Sequence, residues 1–279
     1  MNTGCKNHPY HIVNPSPWPI CTAFATLLVF LGILFCLQKS PYSTALLGIA
    51  ITILLVCLGL WWRDVIYEGQ IEQMHTTPVK DSLRIGMILF IISEVMFFFG
   101  FFISIFKNKL MPSKGLNGVW AEKTVNWAPE SFQEFDPWNI PFMNTIILLL
   151  SSQTLAWAQY ALHFETKDKK QTNVLKGLQY TILLGISFTI LQIFEYAHAP
   201  FRMQDGIVTS NFYIATGFHG LHVIIGTIFL IVCYARATLG HFQDSSDKNN
   251  ILCFNFAVWY WHFVDAIWIL LFIFLYLWT

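Results

Sequence analysis

The chain has 279 residues, of which 55% are apolar, 17% aromatic and only 11% charged. Soluble domains carry about 25% charged residues, so this composition excludes a water-soluble globular protein and makes the bilayer the solvent. Lysine plus arginine equal aspartate plus glutamate at 16 each, and with no net positive charge or basic block nothing points to nucleic acid; the expected partners are lipid and other membrane proteins.

In chain order, residues 1–19, "MNTGCKNHPYHIVNPSPWP", form an N-terminal segment expected on the inner side. It lacks both the basic-then-apolar order of a secretory signal and the arginine-rich character of a transit peptide, as expected for a bacterial or organelle-encoded chain. A spanning helix needs about 20 apolar residues. Residues 20–62 supply the first two, Ile20–Leu37 and Thr44–Trp62, parted by a turn containing Pro41. Arg63 and Asp64 close the second and open an inner-side loop, 63–84. Residues 85–279 supply five more, near Ile85–Phe106, Phe142–Leu162, Gly177–Ala197, Phe212–Ala235 and Ile251–Trp278. A long loop, 107–141, rich in Pro, Gly, Trp and acids, is placed in water on the outer side, and "FETKDKKQTN" separates the fourth span from the fifth. The expected fold is all-α, a polytopic membrane protein with seven transmembrane helices. No span contains an internal proline and no internal repeat is visible, which counts against a secondary transporter with broken helices.

Basic residues set the orientation. With the N-terminus inside, the inner segments carry ten, including Arg63, Lys80, Arg84, Lys169, Lys170 and Arg236, against six outside. This excess predicts N-inside and C-outside. Tryptophans 18, 61, 62, 138 and 278 lie at span ends, where an amphipathic indole fits the interface. The six cysteines show no C-x-x-C spacing and mostly fall in apolar runs, so neither a disulfide framework nor a thiolate metal site is expected.

Ionisable groups inside spans are expensive and invite a functional reading. Glu94 stands in "LRIGMILFIISEVMFFFGFF", with Phe90, Ile91, Phe97 and Phe98 three and four positions away, so its own helix cannot pair it. Burial raises an acid's pKa, and a mostly protonated Glu94 is expected. Three further pairs are spaced i, i+3, each on one helix face: Glu195 with His198, His219 with His222, and His262 with Asp265. One E-x-x-H resembles half of a di-iron bundle site, which needs the motif twice and two further glutamates. The six residues are therefore read as an intramembrane polar network, with no catalytic residue and no metal. Arg63, Arg84 and Arg236 have the geometry to grip phosphate, or serve as snorkelling side chains at the interface.

"HIVNPSPWP", "WWRDVI", "LRIGMILFIISEVMFF", "ATGFHGLHVIIG", "FLIVC" and "WYWHFVD" together resemble subunit III of the haem–copper cytochrome c oxidases, in order and spacing, over nearly the whole chain. The resemblance is weakest in the long loop and in "SSQTLAWAQYALHFETKDKK". It implies a two-helix N-terminal pair leaning away from a five-helix bundle, with phospholipids in the V-shaped cleft between them. It implies a non-catalytic core subunit of complex IV that steadies subunit I and its proton-uptake region. The main partner would be subunit I, followed by subunit II and accessory subunits, with haem and copper in those partners and no cofactor but structural phospholipid here. Lipid-headgroup candidates are Arg63, Arg84, Arg236, Tyr67 and His75. Tyr67 stands where the family often has Arg, and His198 where it commonly has a second Glu. The implied location is the mitochondrial inner membrane, N-terminus in the matrix and C-terminus in the intermembrane space, or a bacterial plasma membrane. The alternatives are subunit III of a quinol oxidase, which resembles the last five helices only, and a secondary transporter.

Overall fold

A computed structural model describes residues 10–72, 74–110, 136–165, 167–242 and 251–278. It contains seven α-helices: α1 (Trp18–Leu37), α2 (Ser43–Gln70), α3 (Thr77–Leu110), α4 (Ile140–Phe164), α5 (Lys167–Ala197), α6 (Ile207–Thr238) and α7 (Leu252–Leu271). A π-helical turn, Phe272–Leu277, continues α7. All seven helices are long and apolar enough to cross a membrane, and no strand occurs among the described residues. The chain is an all-α, multi-pass membrane protein.

The helices outrun their apolar stretches. Arg63 and Asp64 do not end α2, which continues to Gln70, and most of "FETKDKKQTN", which separates α4 from α5, is helical because α5 already begins at Lys167. Hydropathy marks where a helix meets hydrocarbon, whereas hydrogen bonding can continue through the polar interface beyond it. The 34 residues of α3 span about 51 Å at the usual rise, well beyond a hydrocarbon core about 30 Å thick. Residues 111–135 of the expected long loop lie outside the described residues, and Lys107–Leu110 belong to the end of α3.

Two compact units divide the chain, Met1–Leu83 and Arg84–Thr279. In the first, α1 packs on α2 where Gly32 lets the backbones close: a Cβ there would lie 3.0 Å from the Cα of Leu47. The Trp18 indole N–H donates to Asp64, and Arg63 donates to the same carboxylate through Nε at 3.0 Å and Nη2 at 2.8 Å. This cluster ties the start of α1 to α2. Only Thr22, Ala25 and Gly32 of α1, and Ser43 and Ala50 of α2, are buried. Phe24, Phe30 and Leu55 are each more than 60% exposed, the surface of helices that meet lipid rather than water. Gly32→Leu should cost about 1–3 kcal/mol by overpacking. It should lower the thermal midpoint of the detergent-solubilised protein, and an unchanged midpoint would mean that α1 and α2 are not held in this register.

In the second unit α4 packs on α5, α5 on α6, α6 on α7, and α7 back on α4. Small hydroxylated residues allow close packing, as where Thr154 and Thr181 hydrogen-bond at 2.8 Å between α4 and α5. Trp261 of α7 is 1% exposed. Its six-membered ring fills space left by Gly185 of α5 and Gly226 of α6, where a Cβ would come within 2.7 and 3.0 Å of it. Its N–H donates to Ser151 Oγ of α4 at 2.9 Å, so one side chain touches three neighbouring helices. The part of α3 in this unit reaches the others through long side chains: Phe98 on Phe263, Phe102 and Phe106 on Phe274, and Ser104 hydrogen-bonded to Asn211.

Candidate functional site

Glu94 does find a partner, and it comes from another helix. Its Oε2 lies 2.8 Å from His222 Nε2 on α6, while His222 Nδ1 lies 2.6 Å from the carbonyl oxygen of Phe218 one turn earlier. A carbonyl only accepts, so Nδ1 carries a proton. One proton then lies between Nε2 and Oε2: either a carboxylic acid donates to neutral imidazole, or imidazolium donates to carboxylate. Both arrangements leave the pair neutral as a unit, which removes the cost of an uncompensated charge in the membrane. The Glu94 and His222 side chains are 22% and 10% exposed. Phe97, Phe98, Tyr260 and Phe263 surround the imidazole at ring-centroid distances of 5.1–6.4 Å.

The six residues read as one network do not form one. His222 is taken by Glu94. Glu195, 1% exposed, accepts from the Tyr276 hydroxyl at 2.6 Å, and the π-helical turn carries Tyr276. Asp265 accepts from Ser152 of α4 at 2.8 Å. His198 is exposed, with Nδ1 bonded to the Phe194 carbonyl, and His262 is exposed on α7. His219 is buried between Phe188 and Trp268, and neither ring nitrogen has a hydrogen-bond partner among the described residues. Spacing i, i+3 places two side chains on one face but does not choose the helix that face meets. The partners missed in the sequence are hydroxyls of α4. Thr145 accepts from Trp268 at 3.0 Å, Ser151 from Trp261, and Ser152 donates to Asp265. The available signal was Ser and Thr recurring within a spanning helix, where small polar residues mark interfaces.

The headgroup candidates also separate. Arg63 is engaged by Asp64. Arg236 is 8% exposed, its guanidinium over the Phe242 ring at 5.1 Å, so it is an interior side chain of its unit rather than a rim residue. Arg84 is partly buried near the start of α3, and Tyr67 is 50% exposed in the last turns of α2. His75 lies between α2 and α3, where burial, then the positive charges of His11 and Lys80, hold its imidazole below the usual histidine range.

Residues 8–279 match the profile of the family described as cytochrome c oxidase subunit III. The chain belongs to the cytochrome c oxidase subunit III family. It is 49% identical over 276 residues to the probable cytochrome c oxidase subunit 3 of Rickettsia prowazekii (strain Madrid E), covering 99% of this chain and 97% of that one. It is 44% identical over 273 residues to cytochrome c oxidase subunit 3 of Prototheca wickerhamii, covering 98% of each. To the subunit 3 of Scyliorhinus canicula it is 43% identical over 271 residues, covering 97% of each. The chain is therefore a subunit of cytochrome c oxidase, an enzyme complex, and the matched residues include α1 and α2. Within a cytochrome c oxidase subunit III, the Glu94–His222 pair is a neutral contact fastening α3 to α6 inside the second unit.

Proposed function

We propose that this subunit is non-catalytic: it steadies subunit I near its proton-uptake region and holds structural phospholipid. The observation that carries the reading is the contrast between interior and exterior. Inside, the three intramembrane carboxyl groups Glu94, Glu195 and Asp265 each have a partner on another helical segment, His222, Tyr276 and Ser152 respectively. Outside, apolar side chains such as Leu89, Ile190 and Ile193 are at least 60% exposed and need lipid or a neighbouring subunit. Both ring nitrogens of His222 are occupied, so His222 is not disposed to ligate haem or copper. Electron transfer and oxygen reduction then belong to partner subunits, with subunit I the main contact, followed by subunit II and accessory subunits.

The proposed location is the mitochondrial inner membrane, N-terminus in the matrix and C-terminus in the intermembrane space, on the charge asymmetry and composition of the sequence; the bacterial relatives keep a plasma membrane as the alternative. Removing phospholipid from the purified complex with detergent should release lipid and loosen the subunit together, with both followed by native mass spectrometry. A complex that keeps this subunit unchanged after complete delipidation would contradict the lipid-holding role.

A further inference from the structure

Three segments of the first unit bring His11, Glu68 and His75 together. His11 precedes α1, Glu68 lies in the last turn of α2, and His75 lies between α2 and α3. One ligating atom from each lies within 4.8 Å of the other two. In a tetrahedral zinc site with bonds of about 2.0–2.1 Å, ligand atoms sit about 3.3 Å apart. The cluster is therefore looser than a filled site by up to about 1.5 Å per pair.

The backbone and a glycine prepare the position of His75. The Met74 N–H donates to the Glu68 carbonyl at 3.0 Å and turns the chain back on the end of α2. Gly69 leaves the space that the ring occupies: a Cβ there would lie 2.8 Å from His75 Nδ1 and 2.9 Å from Cε1. The His11 ring approaches from the other segment, its centroid 5.2 Å from that of His75 at 55°. Glu68 and His75 are partly buried and His11 is exposed, so the cluster is half-sheltered with one open side.

We propose that His11, Glu68 and His75 form a binding site for a divalent zinc-class ion that clamps the N-terminal segment to the end of α2. Two imidazoles and one carboxylate are a donor set that zinc accepts, with a water completing four-coordination on the open side. The site carries no redox chemistry and is separate from the six intramembrane residues considered above. It does not depend on the lipid-holding role.

The test uses the intact oxidase complex, dialysed against chelator and then against graded free zinc, with bound metal counted by mass spectrometry. Wild-type complex should take up one zinc per subunit more than complexes carrying His11→Ala, Glu68→Gln or His75→Ala. Gly69→Ala, which displaces the His75 ring without removing a ligand, should raise Kd by about 10–100-fold, as disturbed support of a ligand does. X-ray absorption at the zinc edge on the wild-type complex should show two imidazoles, and one in either histidine variant. The haem absorbance of each preparation confirms assembly, and the near-isosteric Glu68→Gln keeps the test valid if a histidine variant assembles poorly. Equal zinc uptake by wild-type and Glu68→Gln complexes, or a zinc shell without histidine, overturns the proposal.

Discussion

Glu94→Ala should yield a complex that loses this subunit or its activity faster than wild type, while Glu94→Gln should turn over and translocate protons at near wild-type rates. The difference follows from the single proton between Glu94 Oε2 and His222 Nε2, 2.8 Å apart. With Nδ1 donating to Phe218, neutral His222 offers Nε2 as an acceptor, and the amide of Gln can donate to it as a carboxylic acid would. Ala removes the donor and opens a gap beside Phe97 and Phe98; stranding a largely buried polar atom costs about 1–3 kcal/mol before the cavity is counted. His222→Ala should match Glu94→Ala, and the double variant should be little worse than either single one, since both break the same contact. Subunit retention during chromatography and the half-life of oxidase turnover at elevated temperature provide the readouts. Loss of proton translocation in Glu94→Gln with normal assembly would make Glu94 a proton carrier instead.

Trp261→Ala should be more damaging still, at about 3–5 kcal/mol for a fully buried indole. Its ring fills the space left by Gly185 and Gly226 and its N–H reaches Ser151, so truncation opens a hole where α4, α5, α6 and α7 meet. In a bilayer, helix association depends on such packing, because lipid tails are as apolar as the helix faces. Trp261→Phe keeps most of the contact and gives up one hydrogen bond, net about 1 kcal/mol, and the Ser151 hydroxyl still donates to the Leu148 carbonyl at 2.6 Å. The expected order of thermal inactivation is therefore Ala well before Phe, and Phe slightly before wild type. Indifference to Trp261→Ala would mean that the second unit is held together elsewhere.

What could be read from the sequence tracks what is local. Apolar runs located all seven spanning helices, and the isolation of Glu94 on its own helix was visible from residues three and four positions away. Its partner was not: His222 is 128 positions distant, and hydropathy does not say which helices are neighbours. For the same reason His219, His222 and His262 looked equivalent, yet they end in an aromatic slot, in a hydrogen-bonded pair and on an exposed face. Arg236 carried the residue type of a headgroup ligand, and only packing reveals it inside its own unit. Helix ends were misjudged where polar residues continued the helix, as from Arg63 to Gln70, because polarity reports the environment rather than the backbone. The His11–Glu68–His75 cluster has no sequence spacing to betray it, since its members come from three segments joined by a turn and a glycine.

We propose that the chain is an integral subunit of the oxidase that itself carries no redox centre. The most direct measurement is a visible spectrum of the native complex purified through an affinity tag on this chain, taken before and after the subunit is stripped off with detergent. Haem absorbance should co-purify in constant proportion to the tagged chain and then remain wholly with the stripped complex, leaving a colourless subunit. A tagged chain that purifies colourless from the native membrane, or a stripped subunit that retains haem absorbance, would contradict the account.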